Sequence, residues 1–193
     1  MVNLWFISDT HFNHANMVHV FKLADGSPAR KFSSVEEMDE MMIQRWNECV
    51  KPQDHVYHLG DLTMHRQIRQ IKYSVLDRLQ GHKRLLLGNH DADKVENYLK
   101  WFEKIYATRV IDRILFTHIP VHPENVGGFH GIVHGHTHSA PELPPVLRIK
   151  KESQAVRWVP YISVCVEKTD YRPVSLEELK QRIKKEAGNG SEG

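Results

Sequence analysis

Residues 4–11, LWFISDTH, decide how the chain is read. The apolar run LWFI, closed by Ser8, is too short for a helix and rich in strand-forming side chains. It reads as a buried strand that delivers Asp9 and His11 at its carboxyl end. Working outward, the same event recurs. Residues 55–59 (HVYHL) close on Gly60-Asp61. Residues 84–87 (RLLL) close on Gly88-Asn89-His90-Asp91. A strand within residues 110–116 ends at Thr117-His118. Ile132-Val133 leads through His134 into Gly135-His136-Thr137-His138.

Helical patterns lie between these strands. Residues 34–50 are the clearest: Ser34 and Glu37 make a capping box, and Val35, Met38, Met42 and Trp46 form one apolar stripe before Pro52. Further helices are predicted at about 67–79, stopped by Gly81, at about 94–102, and at 175–186, capped by Ser175 and Glu178. Residues 12–31 read as a loop with a turn at Asp25-Gly26-Ser27-Pro28. Residues 139–157 read as an irregular excursion or hairpin, and 158–166 as a strand. Strands alternating with helices argue an α/β layered core. In such sheets ligands gather at the carboxyl ends of strands, so the polar strand ends should converge on one site.

Composition narrows the function. The 193 residues suit a single domain, taken as 1–187, with 188–193 (GNGSEG) as a flexible tail. Lys plus Arg number 26 and Asp plus Glu 24, giving a net charge of +2 and no basic footprint for nucleic acid. Cys49 and Cys165 cannot make a disulfide framework and read as buried small residues. The start, MVNLWFISD, lacks the basic and long apolar segments of a signal peptide. No run reaches the ~18 apolar residues of a membrane span. The expected compartment is the cytoplasm. The 14 histidines exceed what packing needs, and histidine is both a metal ligand and a near-neutral acid-base group. The strand-end donors are all O and N. That set favours manganese, iron, zinc, cobalt or nickel over a soft thiolate site.

The motifs DTH, GD, GNHD, an isolated His118 and GHTH, in that order, resemble the calcineurin-like metallophosphoesterases. FISDTHFNHANMV, the MDEMMIQRWNECV helix, VYHLGD and DYRPVSLEEL look like a small stand-alone bacterial and phage branch of that family. The resemblance implies a four-layer αββα sandwich of two mixed β-sheets flanked by helices. It also implies two divalent metal ions, manganese first among the candidates. Asp9, His11, Asp61 and His138 would hold one and Asp61, Asn89, His118 and His136 the other, with Asp61 bridging ions ~3.5–4 Å apart. A hydroxide shared by the ions would attack phosphorus in line. His90 would face the substrate, with the Asp91 carboxylate holding it protonated.

Among the remaining residues, His14 could contact substrate or support His11. His122 could line the pocket mouth, and Arg30 could bind a phosphate flank, although a solvated loop is the preferred reading of Arg30. His134 supports the final turn, His58 packs within its strand, and His130 has no assigned role. His19, His55, His65 and His82 are expected to face solvent. The expected activity is metal-dependent hydrolysis of a nucleotide or other small phosphodiester. A nuclease on DNA or RNA, a protein or small-molecule phosphomonoesterase, and a non-catalytic interaction scaffold stay open. No membrane partner is expected.

Overall fold

The strands that end in Asp, Asn and His all form, and they sort into two sheets. The computed structural model describes residues 2–72, 74–149 and 156–189. In chain order its elements are β1 (Leu4–Ile7), α1 (Asn16–His19), α2 (Val35–Cys49), β2 (His55–His58), α3 (Val75–Arg78), β3 (His82–Leu86) and α4 (Val95–Tyr98). There follow β4 (Lys104–Tyr106), β5 (Arg109–Ile111), β6 (Ile114–Phe116), β7 (Gly131–His134), β8 (Val146–Ile149), β9 (Val156–Val159), β10 (Tyr161–Ser163), β11 (Val174–Ser175) and α5 (Leu176–Asn189).

One sheet runs β11-β1-β2-β3-β4 and the other β10-β7-β6-β5; both are mixed, with β11 and β5 as the antiparallel strands. Side chains alternate faces along a strand, and the burial follows that alternation. Phe6, Tyr57 and Leu86 face inward and meet Phe116, Val133 and Ile162 of the second sheet. The Phe6 and Phe116 rings stack at 4.2 Å. Their neighbours Ile7, Val56 and Leu85 face the other way and pack against Met38, Met42 and Trp46 of α2. Burying side chains of this size contributes about 1.5–3 kcal/mol each, so the stripe fixes α2 on the outer face. The expected sandwich of two facing mixed sheets is the architecture found.

Local expectations fared unevenly. Ser34 caps α2, its Oγ accepting from Glu37 N at 3.1 Å. The return bond goes one residue earlier than a capping box requires, from Ser33 N to Glu37 Oε2 at 2.7 Å. The helix expected at 67–79 is broken. A 3-10 turn at Ile68–Gln70 and α3 replace it, with Ser74 in the left-handed region at φ 48°. Ile68, Val75, Leu76 and Leu79 still reach the core, so burial is satisfied without a continuous helix. The helix expected at 94–102 shrinks to α4. The loop at 12–31 carries α1 and a bridge between Lys22 and Pro28. The excursion after Ser139 does contain a hairpin, β8 paired antiparallel with β9. The strand expected at 158–166 divides into the end of β9, β10 and a 3-10 turn at Val166–Lys168. Ser175 Oγ caps α5 through Glu178 N at 3.1 Å. Residues 190–193 of the expected tail lie outside the described residues. Among those described, no helix is long and apolar enough to cross a membrane.

Candidate metal centre

β1, β2 and β3 are mutually parallel, as are β6 and β7, so each set presents its carboxyl ends along one edge. Backbone bonds from Ser8 splice the two edges together, and others continue the pairing within each edge. Ser8 N donates to Val164 O at 3.0 Å, Asp9 N to Gly60 O at 3.0 Å, and Gly135 N to His118 O at 2.9 Å. The loops that follow these strands are therefore brought to one place.

Two groups of potential ligands result. Asp9, His11 and His138 form one; Asp61, His118 and His136 form the other; within each, the donor atoms lie within 4.8 Å of one another. Asp61 Oδ2 stands between them, 3.4 Å from His118 Nε2 and 3.9 Å from His11 Nε2. Asn89 Oδ1 joins the second group at 2.9 Å from His118 Nε2. All seven residues singled out as ligands in the sequence thus come together.

The chemistry of these atoms suits cations. Asp9 Oδ1 and both ring nitrogens of His11 are buried without a hydrogen-bond partner, a costly state that a bound cation would relieve. Burial, then the nearby Arg30 charge, holds the His11 pKa well below its ordinary value, leaving the neutral ring that ligation requires. His118 Nδ1 sits 2.8 Å from Leu59 O, and His138 Nδ1 sits 3.1 Å from Glu167 Oε1. In the neutral rings these acceptors place the proton on Nδ1 and leave Nε2 free for a metal. Burial pulls both histidines down, but hydrogen bonds to Asp61 and Glu167, respectively, raise them overall. Asp61 is pulled the other way. Burial alone would raise it, yet His118 and the His90 N–H hold it below the usual carboxylate range.

The backbone is shaped to the same end. Asp9, His11, Asp61, His136 and His138 have φ of 58°, 48°, 55°, 68° and 46°. Non-glycine residues in the left-handed region cost about 1–3 kcal/mol each and persist where their surroundings over-determine them. Asp and His tolerate this region better than most side chains. Gly88 and Gly135 allow close approach: a Cβ on Gly88 would overlap Asp61 Oδ1 and N, and one on Gly135 would overlap Ser8 Oγ and Asp9 Oδ2.

His90 stands apart from both groups. Its N–H donates to Asp61 Oδ1 at 2.9 Å, while its side chain is 40 % exposed with Nε2 3.9 Å from Asp61 Oδ2. His14 joins His11, His90 and His138 in lining one cavity, its ring 5.9 Å from that of His11.

Three expectations need correction. Asp91 does not hold the His90 ring. Its buried carboxylate accepts the backbone N–H groups of Asp61 and Gly88 at 2.8 Å and of Leu62 at 3.1 Å. It ties the GNHD turn to the GD turn, and burial pushes its pKa up to about 6. Arg30 does not reach a substrate phosphate. It is wholly buried, donating to Thr10 O at 2.7 Å, Asp9 O at 2.6 Å and Glu167 Oε1 at 2.8 Å. His122 lies on the surface, where its Nδ1 accepts Glu124 N at 3.3 Å and caps a 3-10 turn instead of lining the cavity.

Glu167 carries no sequence signal for its place here, and Cys165, buried as expected, also takes a polar partner. Glu167 joins Arg30 to His138, and Cys165 donates its thiol to Asp9 Oδ2 at 3.2 Å. Neither has a motif around it. His58 and His134 behave as supports: His58 bonds Thr10 Oγ1 at 3.0 Å, and His134 Nδ1 lies 2.8 Å from Gly135 O. A third cluster, His55, His82 and Glu103, lies at the opposite, amino-terminal ends of β2 and β3. There His82 and Glu103 pair at 2.5 Å.

Comparison with known proteins agrees with this geometry. A profile described as calcineurin-like phosphoesterase matches residues 2–129, which include every candidate ligand except His136 and His138. An uncharacterized protein of Methanocaldococcus jannaschii, MJ1445, is 34% identical over 191 residues, covering 96% of this chain and 93% of its own. The Gene 66 protein of Mycobacterium phage L5 is 37% identical over 94 residues, covering 48% of this chain and 41% of its own. The crystal structure of AQ665, a protein of unknown function from Aquifex aeolicus, superposes with a TM-score of 0.67 at 27% identity, over 94% of this chain and 100% of that one. The family binds divalent metals, and the donor groups described above are the candidates to hold them. The chain belongs to the calcineurin-like phosphoesterase family, whose members are metal-dependent phosphoesterases.

Proposed function

We propose that this protein is a binuclear metallophosphoesterase that hydrolyses small phosphodiesters, nucleotides among them. One observation carries the reading: Asp61 Oδ2 lies between two O/N donor groups, with the half-exposed His90 beside it. Asp9, His11, Asp61 and His138 would hold one cation, and Asp61, Asn89, His118 and His136 the other. Bound there, two divalent cations, with manganese the first candidate, supply Lewis acidity toward phosphoryl oxygens and an activated water near neutral pH. The chain's own residues do the rest. Leu59 O and Glu167 fix the ring orientations of His118 and His138. Asp91 locks the two turns that carry Asp61 and Asn89. His90 is anchored at its backbone while its ring is 40 % exposed, so Nε2 can give a proton to the departing oxygen. That service matters most for diesters, whose alkoxide leaving groups are poor.

The test is metal removal. Chelation with EDTA should abolish hydrolysis of bis(4-nitrophenyl) phosphate, and manganese should restore it with two equivalents bound per chain. Activity indifferent to chelation would overturn the reading.

A further inference from the structure

The family membership says nothing about what the phosphate is attached to. The cavity beside the metal centre does. It has a volume of about 770 Å³ and includes His11, His90 and His138 in its floor. That space lies within the usual range for sites that enclose an organic ligand.

Its walls are apolar. Met17, Phe21, Leu23, Met64 and Pro141 line it. Phe21, Leu23 and Met64 are 45%, 37% and 39% exposed, so large apolar side chains are held open to solvent at the mouth of the candidate site. Apolar surface gathered around a polar centre marks a binding surface. Cations are scarce among the described residues of the lining: Lys22 is the one lysine or arginine there, set against Asp25 and Glu167. Such a wall suits an apolar group better than a polyanionic backbone, whose binding calls for several basic side chains.

The wall is also built. Ala29 N donates to Phe21 O at 2.9 Å and Leu23 N to Ser27 O at 2.8 Å, closing a small ladder around the bridge between Lys22 and Pro28. Asp25 pins the turn by accepting Ser27 N at 2.9 Å and Ser27 Oγ at 2.7 Å. The far end is anchored by the buried Arg30, which binds Asp9 O and Thr10 O beside the candidate ligands. Phe21 packs edge-on against His14 at 5.7 Å, and His14 in turn lies against His11. The apolar wall is therefore held in a fixed relation to the metal-binding edge.

We infer that this cavity seats an aromatic ring carried on the substrate, so that the enzyme acts on small phosphodiesters bearing an aryl group or a nucleobase. The choice of an aromatic ring follows from the lining. The thioethers of Met17 and Met64 and the ring of Phe21 make favourable contacts with a flat π face. This inference rests on the phosphodiesterase reading of the same site.

Phosphonates, whose P–C bond is not hydrolysed, separate binding from turnover. Affinities of methylphosphonate, cyclohexylmethylphosphonate and naphthylmethylphosphonate are measured by calorimetry on the manganese-loaded protein and on Phe21→Ala/Met64→Ala. Both positions are exposed at the cavity mouth and outside the core, so the variant should keep its fold and its metal content. The naphthyl compound should bind the parent protein about tenfold or more tighter than methylphosphonate. The variant should lose that margin while retaining its affinity for methylphosphonate. Equal affinities in the parent protein, or a margin that survives in the variant, would overturn the inference. Cyclohexyl binding as tight as naphthyl would overturn the aromatic assignment. Displacement of the naphthyl compound by thymidine monophosphate assigns the ring to a nucleobase; its failure assigns it to a simpler aryl ester. If chelation leaves diester hydrolysis intact, the underlying reading fails instead, whatever the phosphonates do.

Discussion

Glu167→Gln is the most informative single change. Glu167 and Arg30 are nearly inaccessible, with side-chain exposures of 6% and 0%, and they pair at 2.7 Å. Burial by itself would raise the Glu167 pKa. The Arg30 guanidinium and the His138 ring overcome this and hold it at about 2, against an ordinary 4.5. A carboxylate whose pKa falls that far on folding contributes on the order of 3 kcal/mol to stability. Because the folded value is the lower one, the contribution is whole above about pH 4.5 and fades as the pH falls toward about 2. Glutamine keeps the size and one acceptor oxygen but removes the charge, leaving Arg30 buried without its anion. Loss of one partner of a buried pair costs about 3–5 kcal/mol, which agrees with the linkage figure. The assay is urea denaturation of chelator-treated protein. With a slope of about 2 kcal/mol/M, the midpoint at pH 7 should fall by about 1.5 M. The gap between parent and variant should close as the pH is lowered through the acid range. Manganese affinity should also drop about tenfold or more, because His138 loses the carboxylate that orients it. A gap below about 1 kcal/mol at pH 7, or one that does not narrow in acid, would refute the argument.

Other changes probe separate parts of the site. His90→Asn should keep full manganese content while diester turnover falls on the order of 10²-fold; loss of metal would instead make His90 a ligand. Gly135→Ala places a methyl group against Ser8 and Asp9. It should cost about 1–3 kcal/mol in urea unfolding and weaken metal binding, because the packed strand end cannot yield freely. Unchanged stability would mean that the approach is looser than described. His122→Ala should leave kcat/KM for bis(4-nitrophenyl) phosphate unaltered, since its ring is occupied in a surface turn; a marked loss would return it to the pocket.

Much of the site was legible in the chain because strand-end chemistry is local. Asp9-Thr10-His11, Gly60-Asp61 and Gly135-His136-Thr137-His138 each follow directly from a short apolar run, and a parallel sheet aligns such ends without further information. The α2 stripe was legible for a similar reason: a period of 3.6 is written into residues 35–46. The helix expected at 67–79 failed because its apolar residues could reach the core from a broken path. Ser74 in the left-handed region shows that burial, not periodicity, determined the conformation there.

The fates of Arg30, Asp91 and Glu167 were decided by tertiary structure. An arginine in a loop of ordinary composition reads as solvated, yet it is buried by carbonyls from residues 9 and 10 and a carboxylate 137 positions away. Asp91 sits next to His90 in sequence, but three backbone N–H groups surround its carboxylate, and hydrogen-bond donors that close outbid a neighbour in the chain. The sequence by itself determined which residue types stand at the strand ends, and so the class of chemistry. Only the folded chain determined which side chains hold the candidate ligands in place and what surface lies beside them. Most of those contacts join segments far apart in sequence, and no local pattern encodes them.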